Sequence, residues 1–242
     1  MADAKIRLFV DQPLGAGQAI ALTEGQANYL FAVMRLGVGA SVLVFDGKTG
    51  EWRAEVAEVG KRRGVLVCVD HTAPLRMPPD LWLLFAPIKK ARTDFIVEKA
   101  TELGVARVTP VQTRFTNADR IRVDKLRAHA VEAAEQCGGT FVPVIDDVMP
   151  FAKLLDTWPP DRRILWCNEH LAGVAAALPK GGAPGPWAVL IGPEGGFSAE
   201  EQARLCAMPE VVQASLGPRI LRADTAAVAA LTLWQAHLGD WR

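Results

Sequence analysis

Apolar and polar positions alternate with a period of two over the first part of the chain. Ile6, Leu8 and Val10 repeat at this spacing, as do Val42 and Val44, then Trp52, Ala54 and Val56, then Val65, Val67 and Val69. Each run predicts a half-buried strand. Turn residues separate the runs at Asp46-Gly47, Thr49-Gly50 and Arg63-Gly64. A helical pattern at about Glu24–Met34 interrupts the strands, with Thr23 as its cap, and Gly37-Val38-Gly39 leads back into strand. Several short strands with tight turns in about 70 residues predict a compact β barrel over residues 1–74.

The rhythm changes after Pro74-Leu75-Arg76-Met77-Pro78-Pro79, a linker in which consecutive prolines can continue neither a helix nor a central strand. Apolar runs at Leu81–Ala86, Val108–Val111 and Ile164–Cys167 predict strands. They alternate with helical patterns at Thr93–Leu103, ended by Gly104, and Asp124–Cys137, ended by Gly138-Gly139. Trp158-Pro159-Pro160 and Pro179–Pro186 read as loops. This alternation is the α/β signature with a mostly parallel sheet over residues 75–242.

Two glycine- and proline-bearing loops dominate the last quarter: Gly192-Pro193-Glu194-Gly195-Gly196, and Leu216-Gly217-Pro218-Arg219. The first follows the apolar run Val189-Leu190-Ile191, the second follows Val211-Val212, and each precedes a helical pattern. Ser198-Ala199-Glu200-Glu201 is a capping box that starts the first helix. Thr225 opens the second, which runs apolar to His237 and stops at Gly239. Glycine lets backbone N–H groups approach a ligand closely, and open parallel sheets bind small molecules at the carboxyl ends of their strands. Neither loop is a Walker A, and no GxGxxG occurs, which argues against a P-loop NTPase and the usual dinucleotide fold. Either loop alone could be an ordinary strand-to-helix turn.

The formal net charge is zero, so nothing global announces a nucleic-acid partner. Residues 89–127 nevertheless hold ten Lys/Arg against five Asp/Glu, a local excess of five positive charges. The four cysteines are far apart and form no CxxC pair, which argues for reduced thiols and against a disulfide framework or a zinc site. Cys137 reads as a buried thiol. His71, His129, His170 and His237 lack metal-ligand spacing, and Ser41, Ser198 and Ser215 lack a GxSxG context. The tryptophans read mostly as core or linker packing. The start lacks the apolar core of a signal peptide, and no apolar run reaches the ~20 residues needed to cross a bilayer. A soluble cytoplasmic protein without a metal is the expectation.

IGPEGGFSAEE followed by LGPRILRADTA resembles the SPOUT superfamily of S-adenosylmethionine-dependent RNA methyltransferases. Within it the chain is similar to the family that methylates N3 of a uridine in 16S ribosomal RNA. RLFV, MRLGVG, VFDGKTGEWRAEV, FIVEKATELGV and EQCGG carry that likeness over the whole length. The resemblance implies a trefoil-knotted α/β methyltransferase domain after an N-terminal PUA-like RNA-binding barrel, and a homodimer acting on the small ribosomal subunit.

It also implies roles for residues. Leu190, Ile191, Gly192, Pro193, Glu194, Gly195, Gly196, Leu216, Gly217, Ile220, Leu221, Arg222 and Thr225 would hold S-adenosylmethionine. Arg222 would stabilise the uracil imide as it loses its proton, with Asp224 or Glu194 as acceptor; an Arg222–Asp224 ion pair that merely fixes the loop is the alternative. RNA contacts would come first from Arg7, Arg35, Arg92 and Arg114, with Arg53, Lys89, Lys90, Arg120 and Arg122 as further cations. The chain departs from the family pattern at Ala223-Asp224, where Thr-Glu is usual, and at Gly139, where arginine is usual. Two other functions stand beside this one: a SPOUT enzyme acting at a ribose 2′-hydroxyl, and a non-catalytic ribosomal-RNA-binding or assembly protein.

Overall fold

The structure, a computed structural model, describes residues 6–117, 121–171 and 185–241. The side chains of Lys90 and His170, Arg120, and the Pro179–Pro186 loop up to residue 184 lie outside the described residues. The chain divides into two compact units, Met1–Met77 with Ala134–Val142, and Pro78–Ala133 with Pro143–Arg242.

In the first unit, β1 (Arg7–Phe9), β2 (Ala19–Ala21), β3 (Ser41–Phe45), β4 (Glu51–Val59) and β5 (Gly64–Ala73) form one sheet in the order β1-β3-β4-β5-β2. β1 runs parallel to β3 and the other neighbours are antiparallel. Leu8, Val10, Val42, Val44, Ala54 and Val56 point into a shared core, as their alternation predicts. On β5 the expectation fails by one residue: Leu66 and Cys68 are buried, whereas Val65 and Val67 are half-buried and Val69 is exposed. Both faces of the β5 sequence are largely apolar, so periodicity offered no polar side to place outward; the ladder to β4, which pairs Val56 with Leu66, sets the register.

Thr23 caps helix α1 (Glu24–Ala27) through a complete capping box with Gln26, and the helix continues as a π-helical turn over Asn28–Val33. The Asp46-Gly47 turn is built as its sequence demands. The Asp46 carboxylate accepts from Lys48 N at 2.8 Å and Thr49 N at 2.7 Å, and Gly47 holds φ +72°. Two side chains finish the edges of this sheet. Gln12 Nε2 donates to Ala21 O at 2.8 Å while its Oε1 accepts from Ala21 N at 3.1 Å. Glu135 Oε1 accepts from Phe9 N at 2.8 Å.

The second unit is a seven-stranded sheet of β6 (Leu81–Phe85), β7 (Arg107–Gln112), β8 (Val144–Ile145), β9 (Met149–Pro150), β10 (Arg163–Cys167), β11 (Trp187–Ile191) and β12 (Val211–Ala214). The order is β12-β10-β11-β6-β7-β8, with β9 also on β7, and every ladder is parallel. All of β11 is buried, as a central parallel strand covered on both faces requires. The helices are α2 (Lys90–Glu102), α3 (Val123–Cys137), α4 (Phe151–Asp156), α5 (Ala199–Ala207) and α6 (Ala223–Leu238).

Three local expectations need correction. Helix α2 begins before Thr93, whose hydroxyl instead bonds the backbone N and O of Ile88, both at 3.0 Å. Helix α6 begins at Ala223 and not at Thr225; Arg222 is its N-cap residue and offers no side-chain cap. Cys137 is exposed, not buried, because α3 ends there.

Gly239 ends α6 at φ −92°, without a left-handed turn. It is needed for closeness: a Cβ there would stand 1.8 Å from Gln235 Oε1. Gln235 is fully buried, and its Nε2 donates to Leu103 O at 2.7 Å, fastening the end of α6 to the end of α2. Among the described residues no helix is long and apolar enough to cross a membrane.

Candidate functional site

β11 and β12 flank β10, so parallel pairing delivers the carboxyl ends of three adjacent strands to one edge. The loops leaving them enclose a cavity of about 330 Å³, within the size range of small-molecule sites. The first glycine loop contributes Ile191, Gly192, Pro193, Glu194 and Gly196, and the second contributes Leu216, Gly217, Ile220, Leu221 and Arg222. A third wall, which the sequence did not announce, is Trp166-Cys167-Asn168-Glu169 at the end of β10. Phe197, Gln202, Ser215, Arg219, Ala223 and Ala226 complete the lining.

Three of the expected cofactor residues stand outside that lining. Leu190 points into the core beside Trp166 and Phe197. Gly195 lies against Phe115, and Thr225 is an exposed first-turn residue of α6.

The first loop has its shape for steric reasons. The Ser198 hydroxyl accepts from Glu201 N at 3.3 Å, and Glu201 Oε2 accepts from Ser198 N at 2.8 Å, so the capping box fixes where α5 starts. Phe197 folds back onto the loop: a Cβ at Gly192 would lie 2.8 Å from its Cε2. The ring is anchored by Phe151 and Trp166, at centroid distances of 5.2 and 6.0 Å. Gly196 holds φ +69°, and a Cβ there would meet Glu169 Oε1 at 2.5 Å, so this loop is also fitted to the third wall.

Charge is distributed unevenly around the opening. Arg92, in the first turn of α2, places Nη1 2.8 Å from Glu194 Oε1 and Nε 3.6 Å from Asp224 Oδ2. Asp224 Oδ1 also accepts from Thr225 N at 2.9 Å. The expected alternative, an Arg222–Asp224 pair, is absent among the described residues; Arg92 takes that place. Arg222 is exposed at the cavity mouth and, among the described residues, its guanidinium has no partner. Burial pushes the Cys167 thiol up to about 12, so this wall presents a neutral S–H.

The expected RNA contacts separate into paired and unpaired cations. Arg7 is internal: its Nη1 donates to Ala134 O (2.7 Å) and Glu135 O (3.0 Å), its Nη2 to Gly139 O (2.8 Å), and its Nε meets Glu51 at 2.7 Å. It closes the carboxyl end of α3, where open carbonyls favour a cation. Arg53 is held by Asp70 and Glu55, and Arg122 by Asp124; those hydrogen bonds raise both guanidinium pKa values. Arg35, Lys89 and Arg114 are exposed, and Arg35 sits in a left-handed conformation at φ +57°. Among the described residues no cluster of His, Cys, Asp or Glu could hold a metal ion.

Comparison with known proteins agrees with this geometry. Residues 76–235 match the model of the RNA methyltransferase domain family, and residues 22–67 match the RNA methyltransferase PUA domain. A crystal structure of a ribosomal RNA small subunit methyltransferase E from Neisseria gonorrhoeae, bound to S-adenosyl methionine, superposes with a TM-score of 0.85. It is 26% identical and covers 98% of this chain and 99% of its own. A Legionella pneumophila protein in complex with the same cofactor also gives 0.85, at 26% identity, over 97% of this chain and 98% of its own. The ribosomal RNA small subunit methyltransferase E of Rickettsia conorii is 26% identical over 232 residues, 93% of each chain. With the family's domain matched over well more than half its length, and the companion PUA domain before it, this chain belongs to the RNA methyltransferase domain family.

Proposed function

We propose that this chain methylates N3 of a uridine in 16S ribosomal RNA, using S-adenosylmethionine held in the cavity at the ends of β10, β11 and β12. The observation that carries the proposal is the convergence of both glycine loops on one cavity, with an arginine at its mouth that has no partner among the described residues. The residues fit the donor. Close-packed glycines expose backbone, while Ile191, Phe197, Leu221 and Trp166 supply apolar walls. When bound, the donor supplies a methyl group already activated on a sulfonium.

The chain's own residues supply position and charge. Gly192, Gly196, Leu216 and Gly217 hold the donor through backbone groups, and the apolar walls keep water from it. Arg222 stabilises the negative charge that develops on uracil O2 or O4 as N3 loses its proton. Asp224 and Glu194, both paired with Arg92, are the candidate acceptors of that proton.

The enzyme works as a cytoplasmic homodimer on RNA within the small subunit, with residues 1–74 gripping RNA and residues 75–242 transferring the methyl group. After β12 at the sheet edge the chain returns as α6 onto α2 and β11, a path that supports the trefoil knot of the family. Incubating the chain with labelled S-adenosylmethionine and small subunits from cells lacking the gene, then mapping the RNA by mass spectrometry, tests this. Methylation at uracil N3 is expected. A methylated ribose would select the 2′-hydroxyl reaction, and absence of donor binding by calorimetry would select the non-catalytic role.

A further inference from the structure

Phe115 is 48% exposed and lies on the segment after β7, at the same carboxyl edge of the sheet on which the cavity opens. A lone exposed aromatic means little; the manner in which this one is held gives it meaning. Thr113 and Thr116 close its turn: Thr116 Oγ1 accepts from Thr113 N at 2.9 Å, and the two hydroxyl oxygens are 2.8 Å apart. Glu201 then ties the turn to the first glycine loop. Its Oε1 accepts from Arg114 N at 2.8 Å while its Oε2 accepts from Ser198 N at 2.8 Å. One carboxylate therefore fixes both the start of α5 and the turn that bears Phe115. The ring's own base rests on the glycine loop, since a Cβ at Gly195 would lie 3.4 Å from Phe115 Cβ.

A ring carried on a turn fixed this firmly, yet left open to solvent, has a π face to offer. Arg114 beside it is exposed, and among the described residues its guanidinium has no partner. An aromatic face next to a free cation is the combination that holds unpaired nucleotides, the ring stacking on a base and the cation meeting a phosphate. We infer that Phe115 is a positioning residue for the RNA substrate, a platform on which a splayed-out base at or beside the target stacks, with Arg114 on the flanking phosphate. The inference rests on the reaction proposed above, which needs an unpaired uridine.

The test compares Phe115→Leu, which keeps apolar bulk but loses the π face, with Phe115→Trp, which keeps it. Donor affinity by calorimetry and oligomeric state by sedimentation are measured on each. Phe115→Leu should raise the KM for RNA about 5- to 150-fold, the worth of one stacked base, with donor affinity unchanged and Phe115→Trp close to wild type. A 2-aminopurine placed beside the target uridine should be quenched on binding to wild type and Phe115→Trp, and not to Phe115→Leu. Equal KM and equal quenching in all three proteins would overturn the assignment. A change of oligomeric state with unaltered RNA binding would make Phe115 a subunit-interface side chain instead. Wild-type protein that transfers no methyl group sinks the underlying reaction; active wild type matched by Phe115→Leu sinks the platform alone.

Discussion

Arg92 reaches Glu194 across 102 residues of chain, with 2.8 Å between Nη1 and Oε1. The same guanidinium lies 3.6 Å from Asp224. Both carboxylates proposed above as proton acceptors thus share one cation, which belongs to neither glycine loop, and Arg222 has no partner among the described residues.

Arg92→Ala should therefore act on turnover more than on stability. Partly exposed ion pairs contribute only ~0.2–1 kcal/mol, so thermal unfolding should shift little. Releasing both acceptors should lower single-turnover methyl transfer by roughly tenfold or more, since small misplacements near reacting groups are expensive. Unchanged transfer would separate Arg92 from the reaction.

Arg222→Ala should lower kcat by about 10²- to 10³-fold, the loss typical of one preorganised charge-stabilising donor. Donor affinity by calorimetry should stay within a few-fold, and Arg222→Lys should recover part of the rate. A variant as fast as wild type would remove Arg222 from catalysis.

Gly196→Ala places a side chain at φ +69° and within 2.5 Å of Glu169 Oε1. Left-handed backbone costs an L-residue roughly 1–2 kcal/mol, and the clash should also weaken donor binding. Gly25→Ala is the control: helical, with open space around its Cβ, it should stabilise by about 0.4–1 kcal/mol. Denaturant titrations of both variants read the contrast, and equal stabilities would show that Gly196 is not under constraint.

Cys167 should resist alkylation. With its thiol pushed up to about 12 by burial, it is protonated at pH 8, whereas the exposed Cys137 and Cys206 should react first with iodoacetamide. The raised value also has a thermodynamic sign. Its contribution is constant below the ordinary thiol value of 9.0 and is lost as pH rises from there towards 12, because the unfolded thiol ionises first. Cys167→Ala should flatten that alkaline decline in stability; rapid labelling of Cys167 in the native protein at pH 8 would contradict the raised thiol value.

Arg7→Ala should lower stability by roughly 2–4 kcal/mol, the range for breaking charged, partly buried hydrogen bonds. The salt dependence of RNA binding should be unchanged, because the guanidinium is committed to Glu51 and three carbonyls. A reduced salt slope in a stable Arg7→Ala protein would return this residue to the RNA surface.

Legibility in the sequence followed the range of the interactions. Strands with one polar face, the Ser198 capping box and the Asp46-Gly47 turn are local devices, and each is built as its residues predict. The two glycine loops were legible as a pair, because strand, turn and helix signals coincide there. The third wall was not, since Cys167-Asn168-Glu169 carries no glycine and joins the cavity only through the placement of β10 between β11 and β12. Arg7 looked like a surface cation because its carbonyl partners lie about 130 residues away in sequence. The bridge from Arg92 to Glu194 and Asp224, and the buried amide of Gln235, are equally tertiary. The two-residue strands β8 and β9 are too short for any periodicity to register.

The small sheet of the first unit has one consequence for life in a crowded solution. Exposed peptide groups along a border strand invite a foreign chain to add itself, the step from which fibrils grow. Gln12 occupies both outward groups of Ala21 on one border, and Glu135 occupies the Phe9 amide on the other. Two polar side chains thereby deny an incoming strand these docking bonds and help to keep the protein from self-assembling edge to edge.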